Sequence, residues 1–114
     1  MSSLSLELPD GRQLSVDDKG YLMDPGDWDE HVASHMAEQD GVQLGPDHWV
    51  VLQIFRDYFA RFDIDPPMRA LVKLTRDRLG EEKGNSRHLY RLFPDGPSTQ
   101  ACRYAGLPRP LSCI

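Results

Sequence analysis

A chain of 114 residues with 39% hydrophobic and 27% charged side chains is long enough for one self-supporting core and too mixed in composition for broad disorder. Its formal charge is -5, and no apolar run approaches the roughly 20 residues that a membrane span needs. The charge is divided unevenly: residues 1–65 carry 4 Lys/Arg against 14 Asp/Glu, whereas residues 66–114 carry 9 against 4. A basic second half suits an acidic protein face or RNA, although a solvated surface is the simpler account.

The start, MSSLSLELPDG, lacks the basic segment and apolar stretch of an export signal, so the expected location is the cytoplasm, where thiols stay reduced. Leu4, Leu6 and Leu8 alternate with polar residues, Pro9-Asp10-Gly11 supplies turn chemistry, and Gln13 to Val16 resumes the alternation. This pattern predicts a short β-hairpin, with a second turn at Asp18-Lys19-Gly20. Trp28, Val32 and His35/Met36 then make the apolar stripe of a helix from Asp27 to Gln39.

Pro46 opens a longer helix, Asp47 to Phe62, in which Trp49, Leu52, Phe55, Phe59 and Phe62 repeat at helical spacing while Arg56, Asp57 and Arg61 are expected to face outward. Asp65-Pro66-Pro67 breaks the chain, and a third helix from Met68 to Leu79 closes at Gly80. A polar loop, Glu81 to Ser86, precedes a short helix over 87–93, with Asn85 or Ser86 as its cap and Pro94 as its stop. Ser98 is the expected cap of a last helix running to about Tyr104.

Both cysteines lie at the end of this order. Cys102 falls on the last predicted helix and Cys113 is the penultimate residue, with Gly106, Pro108 and Pro110 between them. These residues exclude a continuous helix, so the pattern predicts an arm over 105–114 that can leave the body. Eleven extended residues cover roughly 35 Å, enough to carry a terminal sulfur into a partner. An accessible Cys113 thiolate can attack sulfane sulfur and pass it on by a second exchange. Arg103 and Arg109 favour the thiolate and the Ile114 carboxylate opposes it. Cys102 reads equally as a buried small apolar residue and as a resolving thiol. If it faces the arm, a Cys102 to Cys113 disulfide is available as the oxidised state.

Other constellations are weaker. His31 and His35 stand one helical turn apart, but packing or exposure accounts for them better than zinc, and no cofactor or metal site is expected. The two helices flanking Lys83 to Ser86 have the outline of a helix-turn-helix, with Arg76, Arg78, Lys83, Arg87 and Arg91 as basic groups, which makes a DNA-binding regulator the rival function.

The run GEEKGNSRHLYRLFP at 80–94, Gly96-Pro97, QACRYAGLP at 100–108 and Cys113 together resemble the DsrC/TusE family of sulfur-relay proteins, and Gly20-Tyr21-Leu22, the Trp28 region, His48-Trp49 and Pro67 to Lys73 extend the resemblance over nearly the whole chain. The resemblance implies a persulfide carrier, a sulfurtransferase working within a relay. Its donor would be a complex of the TusBCD or DsrEFH kind. The acceptor would be either MnmA with tRNA or dissimilatory sulfite reductase. Cys113 would carry the sulfur, and in the DsrC branch Cys102 takes part as well. Many tRNA-thiolation members lack the upstream cysteine, so its presence favours the two-cysteine branch. Glu81, Lys83, Arg103 and Arg109 are candidates for docking partners or positioning the arm. The expected fold is mainly α, an α+β arrangement: a small orthogonal helical bundle with a helix-turn-helix-like element, an N-terminal hairpin (1–20), a helical body (27–104) and the arm (105–114), in one domain of 1–114.

Overall fold

The computed structural model describes residues 4–110. β1 (Leu4–Glu7) and β2 (Gln13–Val16) pair antiparallel, with Leu6 opposite Leu14 and Leu4 opposite Val16. Alternation turns Leu6, Leu8, Leu14 and Val16 inward. The chain then reverses at Asp17: its carboxylate accepts the N–H groups of Lys19 and Tyr21, and Leu22 returns beside Val16.

Five α-helices follow among the described residues: α1 (Glu30–Gln39), α2 (Pro46–Phe62), α3 (Met68–Leu79), α4 (Ser86–Leu92) and α5 (Pro97–Tyr104). The mixed, mostly helical fold read from the sequence is therefore the one observed. The expected first helix begins three residues later than Asp27, because Pro25–Asp27 forms a separate 3-10 turn capped by Asp24. Asp29 then starts α1 by accepting the Val32 N–H at 3.0 Å. Asn85 caps α4 by accepting the His88 N–H at 2.9 Å. Ser98 does not cap α5; Gly96 occupies that position and Pro97 the first helical one, where a missing N–H costs nothing.

The core is gathered round α5. α1, α2 and α4 each pack against it, and α3 packs on the outside of α2. Ala101, Cys102, Tyr104 and Ala105 are all fully buried against Val32, Met36, Val51, Phe55, Leu89 and Phe93. The apolar stripe of α2 is rotated from its expected place: Val51, Leu52, Ile54 and Phe55 are buried, whereas Phe62 stays half exposed beside Tyr58. Arg56, expected to face outward, turns inward instead.

Candidate functional site

The cysteine helix is short, and its C-terminal end is fixed by a Schellman turn. Gly106 takes the left-handed conformation at φ +75°, its N–H meets the Arg103 carbonyl at 3.2 Å, and the Leu107 N–H meets the Cys102 carbonyl at 2.9 Å. Cys102 thus lies in the last turn of α5 with no exposed surface, and its backbone is bonded to the first residues of the expected arm. Those residues are not outside the body. Ala105, Gly106 and Leu107 are buried, and Pro108 is the first exposed residue of the segment. Cys113 and its proposed sulfur chemistry lie outside the described residues.

Side chains on both sides secure this turn. On one side Arg103 pairs with the Asp40 carboxylate and reaches the Met36 carbonyl at 3.4 Å, which ties α5 to the end of α1. Tyr104 donates its hydroxyl to the same carboxylate at 2.5 Å and receives Gln100 Nε2 at 3.0 Å. Burial, reinforced by the neighbouring Asp40 charge, pushes the Tyr104 phenol well above its ordinary value, so it stays protonated and donating. On the other side Trp28 Nε1 donates to the Tyr104 carbonyl at 2.7 Å and Arg56 Nη1 to the Ala105 carbonyl at 2.7 Å.

Further along, Arg109 pairs with Asp18 at 2.5 Å and Asp17 at 3.3 Å, which draws the segment toward the turn after β2. Burial opposes ionisation of Asp17, but hydrogen bonds from the Tyr21 and Lys19 N–H groups and the charge of Arg109 hold its carboxyl below the ordinary range. Gly20, in the same turn, lies against the Arg103 stem, so Arg103 and Arg109 engage one surface feature between them. Both guanidinium groups are paired with carboxylates, which reduces the electrostatic help expected of them for a nearby thiolate.

Lys83 belongs to a separate group. It pairs with Asp47 at the start of α2 at 3.1 Å, and His88 Nε2 meets the same carboxylate at 3.1 Å. The Lys83 ammonium, then His88, hold the Asp47 carboxyl below its usual range against partial desolvation. Gly84 makes this possible, because its α-carbon packs directly onto the backbone of Arg76 in α3. Next to it, the His48 ring accepts the Gly45 N–H on Nδ1 at 3.0 Å and meets the Leu92 carbonyl through Nε2 at 2.9 Å. Glu81 is exposed on the loop above this group.

Three of the five basic residues expected to serve DNA are engaged within the chain. Arg78 pairs with Asp57, Lys83 with Asp47, and Arg76 reaches the Gly84 carbonyl, which leaves the DNA-binding alternative without support from the geometry. His31 and His35 border a shallow cleft with Leu8, Asp10 and Glu38. Among the described residues no three His, Cys, Asp or Glu side chains stand close enough to hold a metal ion, and no helix is long and apolar enough to cross a membrane.

Sequence reasoning singled out Cys102, Arg103, Arg109 and Lys83 but missed Asp40, Arg56 and the polar role of Trp28. One signal for Arg56 was present: position 56 falls four residues after Leu52 and three before Phe59, on the face that points to the core.

Comparison with known proteins agrees with this architecture. The family model described as "DsrC like protein" matches residues 9–114. Sulfurtransferase TusE of Escherichia coli (strain K12) is 47% identical over 105 residues, covering 92% of this chain and 96% of the relative, and that of Pectobacterium atrosepticum is 48% identical over the same coverage. The solution structure of Allochromatium vinosum DsrC superposes with a TM-score of 0.86 at 45% identity, covering 99% of this chain and all of that one. The oxidized gamma-subunit of dissimilatory sulfite reductase from Archaeoglobus fulgidus gives 0.87 at 37% identity, covering 97% and 100%. With a match running from the hairpin to the last residue and the same fold at these identities, the chain belongs to the DsrC-like family.

Proposed function

We propose that the chain accepts and delivers persulfide sulfur on Cys113, with Cys102 as the resolving thiol. A place in sulfur relay is given by its family, and relatives at 47–48% identity are named sulfurtransferases. The observation that carries the finer reading is the tie between Cys102 and the arm: its carbonyl is bonded to Leu107, from which only six residues lead to Cys113.

In loading, the Cys113 thiolate attacks the outer sulfur of a donor persulfide. The donor's S–S bond breaks, its electron pair leaves on the donor's inner sulfur as a thiolate, and the outer sulfur remains on Cys113 as a persulfide. Delivery repeats the exchange with the acceptor as nucleophile, so neither step needs an external oxidant. In resolution, the Cys102 thiolate attacks Sγ of the loaded Cys113 and expels the outer sulfur as hydrosulfide. Two thiols are then oxidised to a disulfide while the sulfane sulfur is reduced, and a dithiol reductant restores the pair. The burial of Cys102 withholds its thiol from solutes, so resolution calls for Sγ of Cys113 to be carried to it by the same chain.

The donor class is a persulfide-bearing complex of the TusBCD or DsrEFH kind. The acceptor is dissimilatory sulfite reductase in the two-cysteine branch that Cys102 favours, and MnmA with tRNA in the other. The cytoplasm, where thiols are kept reduced, is the compartment that fits this cycle. Mass spectrometry after incubation with persulfide-loaded TusBCD tests the assignment. One added sulfur is expected on Cys113 of the wild type, none on Cys113→Ser, and prolonged loading on Cys102→Ser. Equal loading of Cys113→Ser would overturn it.

A further inference from the structure

The two carbonyls that end α5 are held by donors from distant parts of the chain. A helix leaves its last carbonyls without intrahelical partners, and water usually takes them. Here the Trp28 indole donates to Tyr104 and the Arg56 guanidinium to Ala105, each at 2.7 Å. The two donors also brace each other, since the guanidinium carbon of Arg56 lies 3.9 Å from the centroid of the Trp28 ring. Gly106 closes the arrangement: its α-carbon rests on the same indole, where an added methyl would lie 2.5 Å from Cδ1. Arg56 is partly desolvated in this position, and burial pulls its pKa below the ordinary value. A charge held there and directed at a backbone carbonyl is a costly device for stability alone.

We propose that Arg56 is a positioning residue for the sulfur-carrying arm: braced on Trp28, it pins the chain at Ala105 so that the arm sets out from a fixed origin at Leu107. The inference rests on the reading that Cys113 carries the sulfur. From Leu107 to Cys113 the chain reaches roughly 20 Å, against roughly 35 Å if it were released from Cys102 onward. A shorter tether with a fixed origin confines the thiol to a smaller volume, which raises its effective concentration at a docked partner. The Arg109 pairs with Asp17 and Asp18 lie beyond this origin and are exposed, so they are weak and readily exchanged for contacts with a partner. The clamp is half-buried, so water and salt screen it less than they screen the Arg109 pairs.

The test uses the full chain with Arg56→Met, which keeps the aliphatic stem and removes the donor, and Arg56→Lys, which restores a charged donor. Trp28→Phe, which removes the indole N–H and part of the ring but keeps an aromatic face under Arg56, serves as the second variant should Arg56→Met fold poorly. Sulfur transfer is measured from persulfide-loaded TusBCD and, separately, from glutathione persulfide, with hydrogen exchange of the Gly106 and Leu107 amides followed in parallel.

For Arg56→Met the expected result is faster exchange at both amides and a kcat about fivefold lower with the protein donor at unchanged KM. The rate with glutathione persulfide, which diffuses to the thiol wherever it lies, should stay within about twofold of wild type. Arg56→Lys should recover most of the loss, and Trp28→Phe should show a smaller loss of the same kind. Wild-type transfer rates in Arg56→Met despite faster exchange, or an equal fall with both donors, would overturn the inference while leaving the carrier reading intact. Failure of the wild type to load Cys113 from either donor would remove the carrier reading, and the inference with it.

Discussion

Gly106 and Trp28 touch so closely that the indole occupies the place of a side chain at position 106: an added Cβ would lie 2.5 to 2.7 Å from Cδ1, Cγ and Cβ of the tryptophan. The glycine also holds φ +75°, a region that other L-residues enter at a cost. Gly106→Ala is therefore expected to destabilise the fold by about 3 kcal/mol, from the displaced ring and the strained backbone together. Denaturant unfolding measures this, and a loss under about 1 kcal/mol would mean the contact is loose.

The loop from Gly80 to Asn85 contains a second position of this kind. A Cβ on Gly84 would meet Cβ, Cα and N of Arg76 at 2.3 to 2.8 Å, and backbone atoms of a packed helix cannot give way as a flexible side chain can. Gly84→Ala should cost about 3 kcal/mol and displace Lys83 from Asp47. Asn85→Ala, which removes only the cap of α4, should cost about 1 kcal/mol. Comparison of the two variants by thermal unfolding separates the effect of close approach from that of capping.

His48 predicts a pH dependence. Burial, the largest influence, favours the neutral ring, and the Gly45 N–H needs an unprotonated Nδ1. Folded His48 therefore binds a proton less readily than unfolded His48, so the unfolded state takes up more protons below the ordinary histidine value of about 6.5 and stability falls as pH drops through it. The Tm of the wild type should decrease from pH 7.5 to 5.5, and the decrease should be smaller in His48→Gln. A second fall, below about pH 4, belongs to carboxylates such as Asp47 and Asp17, which are held below their usual range in the folded state and whose contribution is lost on protonation.

Thr75 offers a stabilising change. It is fully buried in α3, and its hydroxyl has no hydrogen-bond partner among the described residues. Thr75→Val keeps the shape and removes the unsatisfied group, so stability should rise by about 1 kcal/mol, or about 4 °C in Tm. No change or a decrease would show that the hydroxyl is satisfied in solution.

The elements legible in the sequence were those with chemical punctuation. Pro46, Gly80, Asn85 and Pro94 mark helix ends by missing donors, left-handed backbone or side-chain caps, and the observed bounds of α2, α3 and α4 fall within a residue or so of those marks. The start of α1 was misplaced because Trp28 extends its apolar stripe backward, although Pro25 begins a separate turn. Arg56 was assigned to solvent on its charge, whereas position on the helix face, not charge, decided its direction. The contacts of Trp28 with Tyr104 and Gly106 join residues more than 70 positions apart, and no local pattern records such an approach. The pattern around Cys102 fits burial and reactivity equally, because a small thiol suits a helix interior as well as an exchange; the structure buries it.

The central place of α5 has a consequence for folding. With eight residues it is too short to persist as a helix by itself, since nucleation outweighs the few bonds so short a segment can form. It is helical because α1, α2 and α4 enclose it. Order around Cys102 should therefore arise in the same cooperative step that assembles those three helices, and an incompletely assembled chain would offer an ordinary cysteine on an unstructured peptide. The special surroundings of this thiol are an all-or-none property of the whole molecule.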